Sequence, residues 1–324
     1  MKYLFTITLF FSSYIFSESR NPYVTWYGDP DLQGVWTNAT LTTLERPRHF
    51  KTLEVSAEEA ESAAERAAAE SFAYDNEYKQ GETPRKGRDV GGYNAAWMDP
   101  GGELFQLFGK HRTSIIAFPK NGKLPWDRKK ADKFFQKMRK DRSKRKDHPE
   151  LRGVGERCVV GFGSSGGPPM MNVLYNNHYQ IVQSPGYVMI MAEMVHDARI
   201  IRLGGTHPSK DVTPWLGDSI GHWDGNTLVV ETKNFNPQHT FRGGLRHFFA
   251  ISPKATITER FTRISKDQIL YRFYVDDPDI YSQVWAGEMP LRAIDEKIYE
   301  YACHEGNYSM ANILAGAREE EKRR

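Results

Sequence analysis

The C-terminal part of the chain alternates between short apolar runs and tight turns. Runs rich in Val, Ile, Phe, Tyr and Thr are interrupted by turn residues such as Pro185-Gly186 and Asp224-Gly225-Asn226, the second of which is a strong hairpin signal. The pattern predicts about nine consecutive strands without intervening helices. They are His178–Ser184, Tyr187–Met194, Arg199–Leu203, Ser219–Trp223, Thr227–Lys233, Ala255–Ile264, Gln268–Val275, Tyr281–Glu288 and Lys297–Cys303.

Strands that follow each other through short turns form one sheet, whose edges stay unpaired unless the sheet closes. We therefore predict a mainly β fold in which residues 156–306 form an antiparallel up-and-down, lipocalin-like β-barrel or a strongly curved sheet. A two-sheet sandwich is the alternative. A barrel of this size can hold one small ligand.

The rest of the chain is predicted to be helical or irregular. Residues 20–155 form an N-terminal segment packed on the barrel, and residues 307–324 form a C-terminal helix. Ser56 and Glu59 make a capping box before an Ala- and Glu-rich helix that ends near Phe72. A polar linker follows from Lys79 to Gly92, and a strand from Arg112 to Phe118.

Two further segments have a distinctive composition. The Gly/Ser/Pro loop from Gly161 to Pro169 lacks the Lys-Ser/Thr of a phosphate loop, and we interpret it as a flexible connection that could act as a lid. The segment from Trp126 to Lys146 is strongly basic and predicted to be helical. Its bases are scattered around the helix among acids, which favours a solvated helix over a patch for nucleic acid or an acidic polymer.

The N-terminus has the pattern of a secretory signal peptide. Lys2 precedes an apolar stretch from Tyr3 to Phe16, and small residues follow at Ser17 and Ser19. The apolar stretch is short for a membrane span of about 20 residues, so cleavage is favoured over an uncleaved anchor. We predict that residues 1–19 are removed and that the mature protein is periplasmic or secreted.

Composition adds only broad limits. The 324 residues are 39% hydrophobic and 26% charged, with 13% aromatic residues, which suits a soluble β-rich protein. The net charge of +3 is too small to indicate a nucleic-acid partner. No later segment is apolar enough to span a membrane, and the sequence does not predict the oligomeric state.

Cys158 and Cys303 are the two cysteines of the chain. In an exported protein they can form a lasting disulfide, and two buried thiols are the alternative. A bond between them would close a very long loop, for which the chain-entropy relation gives roughly 4–5 kcal/mol.

Ionisable residues placed in apolar strands are the candidates for catalysis. Glu193 follows an apolar run, and burial would raise the pKa of its carboxyl unless a base paired with it. His196 and Arg199 lie across the next turn, and Arg199 could pair with Glu193. These three residues predict a catalytic site in which Glu193 or His196 is the general acid or base and Arg199 stabilises a negative charge on the substrate. The alternative is a structural ion pair at the barrel rim.

Other candidates lie at strand ends and on inward faces. His304, at the end of the predicted last strand, is a fourth catalytic candidate, with a buried His in a helix-entry turn as the alternative. Glu259 is a further acid that alternation could place inside the barrel. The predicted substrate-binding residues are Arg112, His222, Trp223, Tyr301 and Glu305, and His222 could point into the barrel.

Signals for cofactors are weak. Glu193, His196, His222 and His304 could supply mixed nitrogen and oxygen ligands to a metal, but the chain lacks His-x-His, His-Glu-x-x-His and cysteine clusters. It also lacks a Gly-x-Ser-x-Gly elbow and a dinucleotide fingerprint. We predict no cofactor and no metal.

Several short motifs are spread along the chain. They are Pro30–Trp36, Arg112–Ile116 with Asn121–Pro125, Glu156–Cys158, Glu193–Arg199, Trp215–Ser219 (Trp-Leu-Gly-Asp-Ser), Trp223–Thr232 and, most specific, Tyr299–Tyr308 (Tyr-Glu-Tyr-Ala-Cys-His-Glu-Gly-Asn-Tyr). With these motifs the sequence resembles a widespread family of exported bacterial proteins of unknown function. The resemblance covers nearly the whole mature chain and implies export and one shared architecture, but no reaction. Asn226 departs from the Asp expected there, which a turn tolerates.

These features lead to three functional hypotheses. The first is a cofactor-independent lyase, isomerase or hydrolase that acts on a partly apolar or aromatic small molecule by acid–base chemistry. The second is a non-catalytic periplasmic carrier of a lipophilic ligand, which needs no titrating group. The third is an envelope interaction module that uses the basic segment from Trp126 to Lys146.

Overall fold

The computed structural model describes residues 22–75, 98–244 and 247–323. The proposed signal peptide and the Lys79–Gly92 linker therefore lie outside the described residues. Nine strands close into a mixed β-barrel, which confirms the predicted fold. In spatial order the barrel strands are β1 (Gly34–Thr37), β6 (His178–Ser184), β7 (Tyr187–Ala192), β8 (Ala198–Leu203), β9 (Asp218–Asp224), β10 (Thr227–Lys233), β13 (Thr256–Ser265), β14 (Gln268–Asp276) and β15 (Trp285–Ala293), which pairs with β1.

The barrel departs from a purely antiparallel meander at one place. β8 and β9 run parallel, with Ile201 opposite Ser219 and Leu203 opposite Gly221. The connection over residues 204–217 is long enough to bring the chain back to the end where β8 began, whereas two-residue turns join antiparallel neighbours such as β6 and β7 or β9 and β10. All other neighbouring pairs in the barrel are antiparallel.

The strand that closes the barrel was not the one expected. The prediction of a last strand over Lys297–Cys303 is wrong, because this stretch lies outside any strand. β1, from the segment predicted to pack on the barrel, pairs instead with both β6 and β15. The backbone of Tyr299 contacts side chains of the neighbouring turn, so it is not available for a ladder.

The barrel interior is filled by side chains. Tyr271 stacks on Phe261 with a centroid separation of 4.9 Å, and Phe273 packs edge-on against Trp285 at 5.6 Å. These rings and Trp36 are all at most 1% exposed. Burial of such a side chain contributes roughly 1.5–3 kcal/mol, so this packed interior holds the closed sheet together.

Shorter elements surround the barrel. Ser56 and Glu59 form the predicted capping box, with each backbone N–H donating to the other side chain at 3.1 Å. None of the helices in the described residues combines the length and apolarity needed to cross a membrane. The elements are β2 (Glu54–Val55), β3 (Gln106–Leu107), β4 (Lys110–Arg112), β5 (Ile116–Phe118, paired with β15), β11 (Phe241–Gly243), β12 (Phe248–Ala250), α1 (Ala57–Asp75), α2 (Arg128–Ser143) and α3 (Ser309–Lys322).

The Gly/Ser/Pro loop covers one end of the barrel. Its residues 164–170 are buried, not exposed as a flexible connection would be. The Tyr179 hydroxyl donates to the backbone oxygen of Ser165 at 2.8 Å, and the Met170 N–H donates to the Tyr271 hydroxyl at 2.9 Å. Two tyrosines of the barrel strands thus fix the loop in place by hydrogen bonds, and we call this loop, which covers the end of the barrel, the plug.

Candidate functional site

An open groove of about 500 Å³ runs beside the loop-covered end of the barrel. One wall is the loop around Gly155 and Phe162, and the other is the segment 300–303 with the start of α3. Asn176, from the connection that enters β6, closes one side. Apolar contacts for a ligand come from Phe162, Tyr301, Met310 and Ile313.

A disulfide joins the two walls of this groove. Cys158 and Cys303 are bonded across 145 residues of sequence, with their Cα atoms 5.7 Å apart, as predicted. The Asn307 side chain donates to the backbone oxygen of Glu156 at 3.4 Å beside the bond. The disulfide therefore sets the spacing of the groove walls, which belong to segments distant in sequence.

Glu193 is positioned by a strained turn at the end of β7. The turn is a short 3-10 element over Met194–His196, in which Val195 and His196 have φ values of 61° and 53°. A β-branched residue rarely adopts this left-handed conformation, and such residues cost on the order of 1–3 kcal/mol. Backbone hydrogen bonds hold the turn, including one from the Ala192 N–H to the Asp197 oxygen at 2.8 Å.

Glu193 pairs with His178, not with Arg199. The Glu193 carboxyl is 2% exposed, and its Oε2 lies 3.1 Å from Nδ1 of His178 on the adjacent strand. Burial favours a raised pKa for Glu193, but His178, the Tyr299 N–H and the Asn176 side chain outweigh it and lower the pKa. The Glu193 contact raises the pKa of His178 despite partial burial. Both shifts favour the charged forms, a Glu193 carboxylate beside a protonated His178.

His196 lies on the outer side of the same turn. Its side chain is exposed, and its Nε2 lies 3.0 Å from the backbone oxygen of Tyr299. The Tyr299 N–H in turn donates to Oε1 of Glu193 at 3.4 Å. Glu193 and His196 together hold the chain segment that leads directly into the groove wall at Glu300 and Tyr301.

Arg199 faces the barrel interior and belongs to a separate network. Its two Nη atoms donate to the Glu259 carboxylate at 2.6 and 2.9 Å, and the Tyr271 hydroxyl donates to the same carboxylate at 2.7 Å. Burial would lower the pKa of Arg199, but the facing carboxylate outweighs it and raises the pKa. Burial, and then Glu259, raise the pKa of Tyr271. Glu259 is the inward-facing acid that alternation suggested.

The remaining sequence candidates do not join the groove. Arg112 is bound by Glu54 at 2.7 Å and Glu288 at 3.2 Å, between the small outer sheet and the barrel. His222 is exposed on β9 and does not point into the barrel, and Trp223 packs half-buried against the core. His304 and Glu305 are exposed in the turn at 303–306, outside any strand.

Two residues of this site were missed by the sequence analysis, His178 and Asn176. The sequence nevertheless contained a signal for His178. The turn at Pro185-Gly186 sets Ser184 opposite Tyr187, and counting back along that hairpin brings His178 opposite Glu193. Asn176 precedes the strand in an irregular connection, where no periodicity predicts its position.

The candidate metal ligands are not gathered together. In the described part of the chain no group of three His, Cys, Asp or Glu side chains is placed to hold a metal ion. Glu193 and His196 meet at the Tyr299 backbone, whereas His222 lies on β9 and His304 in the turn after the groove wall.

Comparison with known proteins adds no further constraint. No family model, curated protein or solved structure matches the chain. The geometry of the groove and of the Glu193–His178 pair is the basis for a functional conclusion.

Proposed function

We propose that this protein is an exported enzyme that acts on a small, partly apolar or aromatic organic molecule by cofactor-independent acid–base chemistry. The observation that carries the proposal is the buried Glu193–His178 pair behind the groove. Pairs of titratable groups with shifted pKa values beside a cleft are typical of active sites. The strained turn at Val195, which positions Glu193, supports the same conclusion.

The proposed roles follow from the charges of the pair. His178, whose pKa is raised, carries a proton at higher pH than an ordinary histidine and acts as the general acid. Glu193, whose pKa is lowered, is the carboxylate that orients His178 and stabilises its protonated ring; when His178 donates its proton, the ring becomes neutral and Glu193 keeps its negative charge. Asn176 both lines the groove and hydrogen-bonds Glu193, so it connects a bound molecule to the pair. Addition–elimination, isomerisation and hydrolysis all fit such a proton shuttle.

The substrate class follows from the groove lining. Phe162, Tyr301 and Ile313 offer apolar and aromatic contact, and Glu300 disfavours a negatively charged substrate. The charge of Glu156 is offset by Arg152, which also lines the groove and lies 2.8 Å away. The disulfide supports an oxidising compartment, and with the proposed signal peptide it supports a periplasmic or secreted enzyme.

The carrier hypothesis receives less support. A lipophilic ligand carried inside the barrel would need the space that Phe261, Tyr271, Phe273 and Trp285 occupy. A carrier could use only the open groove, which exposes its ligand to water.

The test is turnover of a defined panel by the mature protein. The panel contains uncharged compounds, namely aromatic esters, aromatic alcohols and enolisable aromatic ketones, and mass spectrometry follows each compound. We expect at least one to react, and Glu193→Gln to lower its rate about 100-fold or more. Glu58→Gln, which changes an exposed glutamate of α1, is the matched control and should retain full activity. Equal turnover by wild type and Glu193→Gln would contradict the assignment, and tight binding without reaction would favour the carrier.

A further inference from the structure

A second polar group is buried beside the Gly/Ser/Pro loop, outside the groove. Arg242 on β11 is 0% exposed. Its Nη1 contacts Nε2 of His239, whose Nδ1 lies 3.2 Å from the backbone oxygen of Trp215. Its Nε and Nη2 have no hydrogen-bond partner, and no carboxylate of the described residues lies within 4 Å of the guanidinium.

A guanidinium in this position requires a negative partner. Transfer of an unpaired ion from water into a protein interior is strongly unfavourable, and arginine does not readily relieve it by losing its proton. Burial lowers the pKa of Arg242 to about 9, so the group is still a cation at neutral pH. Arg199, which already has Glu259 as its partner, adds a second buried positive charge.

Asp197 is the acid whose charge acts on Arg242, but it is engaged elsewhere. Its Oδ2 accepts the Gly161 N–H at 2.7 Å, and burial raises its pKa to about 6. Its separation from Arg242 exceeds ion-pair distance. Asp197 therefore reduces the positive potential without satisfying the guanidinium.

Most of the unpartnered groups around the loop can donate a hydrogen bond. The Ser165 hydroxyl and Nε of Arg199 are buried and lack partners. Both ring nitrogens of His247 also lack partners; burial lowers the pKa of this ring to about 4, so it is neutral and one of the two nitrogens is a donor. Glycines of the loop pack closely against two of these groups. A Cβ at Gly161 would lie 2.3 Å from Ser165 Oγ, and one at Gly163 would lie 2.8 Å from Nε2 of His247. Donors without acceptors around a buried cation favour a negatively charged ligand.

We propose that Arg242, with the donors beside the Gly/Ser/Pro loop, forms a buried binding site for a small monovalent anion. A Cβ at Gly161, Gly163 or Gly244 would lie within 3 Å of Ser165 or His247, and because the cluster is packed this closely we expect it to accept only an anion as small as chloride or formate. The bound anion neutralises Arg242 and ties β11 to the plug at the end of the barrel. This site does not depend on the function proposed for the groove.

The test compares anions at constant ionic strength. Thermal unfolding of the mature protein is followed as sodium chloride, or in a second arm sodium formate, replaces sodium gluconate, whose anion is too large. We expect a saturable rise of the unfolding temperature, about 5 °C at 100 times the dissociation constant. A response to chloride alone identifies a halide site, and a response to formate identifies a carboxylate site.

Two variants separate this effect from general salt effects. Arg242→Met removes the cation at similar volume and should abolish the anion-dependent rise. Arg128→Met, which removes an exposed cation from α2, should retain it in full. If wild type shows no rise beyond that of Arg242→Met, the inference is wrong.

A second measurement needs no variant. Crystals grown in bromide should show an anomalous peak within hydrogen-bonding distance of Nε or Nη2 of Arg242. Ordered water at that position, with no anomalous signal, would overturn the proposal.

Discussion

Arg199 and Glu259 face each other inside the barrel, joined by two hydrogen bonds of 2.6 and 2.9 Å from the guanidinium to the carboxylate. Arg199 comes from β8 and Glu259 from β13, which are separated in the barrel by β9 and β10. The pair therefore spans the interior, and the Tyr271 hydroxyl completes it from β14. An ion pair in this position sets the relative placement of distant strands.

Removal of one charge from this pair should be costly. Glu259→Gln leaves Arg199 buried without a counter-charge, and we expect it to lower the free energy of unfolding by about 3–5 kcal/mol. Tyr271→Phe removes two hydrogen bonds, one to Glu259 and one from the Met170 N–H, and should cost about 1–3 kcal/mol. Urea denaturation measures both. The double variant Arg199→Met/Glu259→Leu should recover most of the loss, and a loss below about 1 kcal/mol for Glu259→Gln would show that the charge is not isolated.

The Glu193–His178 pair should stabilise the protein most at mildly acidic pH. His178, whose pKa is raised, contributes in full below its unfolded pKa of about 6.5, and the contribution is lost as pH rises through the folded value. Glu193, whose pKa is lowered, contributes above its unfolded value of 4.5, and this is lost as pH falls through the folded value. The difference in unfolding temperature between wild type and Glu193→Gln should therefore peak between about pH 5 and 6.

Two measurements check this pH dependence. Asp197, with a pKa of about 6, titrates in the same range in both proteins, so only the difference between wild type and Glu193→Gln is informative. NMR of the His178 ring should show its titration midpoint falling in the variant. A difference in unfolding temperature that stays constant from acid to alkaline pH would contradict the ion pair.

Gly287 should be intolerant of a side chain. A Cβ at this position of β15 would lie 2.3 Å from Cζ of Phe273 and 3.0 Å from the Ile115 oxygen. Gly287→Ala should therefore lower the free energy of unfolding by about 1–3 kcal/mol. The matched control is Gly316→Ala in α3, where nothing lies within 4 Å and helix propensity predicts a gain of up to about 1 kcal/mol. Thermal unfolding distinguishes the opposite signs.

The disulfide should contribute substantially to stability. Replacement of Cys158 and Cys303 by Ser opens a loop of 145 residues and should cost about 4 kcal/mol in urea denaturation. Reductant should lower the stability of wild type to the same level and leave the double variant unchanged. If reductant also destabilised the double variant, the effect would not come from this bond.

Much of the barrel could be predicted because its strands are encoded locally. The limits of β10 agree with the predicted Thr227–Lys233, and those of β6 with His178–Ser184, since turn residues border apolar runs there. The error at Lys297–Cys303 has a specific cause. Its composition suits a strand, but Glu193 and His196 bind the Tyr299 backbone, and that contact is not visible in local sequence.

The candidate site was predicted only in part for the same reason. Glu193 and His196 stood out because they follow an apolar run, and both lie beside the groove wall. Arg199 was an equally clear candidate, but side chains alternate between the two faces of a strand, and that of Arg199 points into the barrel, where it pairs with Glu259. Asn176 lies in an irregular connection and Arg242 in a three-residue strand, both too short for a periodic pattern, so their surroundings depend on distant contacts.

The sequence by itself determined most of the barrel strands, the tight turns between them, the capped helix and the two cysteines available for a bond, because each depends on residues close together in the chain. Tertiary structure alone decided that β1 closes the barrel, that β8 and β9 run parallel, and that Arg199 pairs with Glu259. The physical reason is that pairing partners of buried charges and of strand edges are chosen by the closure of the whole sheet. That closure balances burial and hydrogen bonding over segments more than a hundred residues apart.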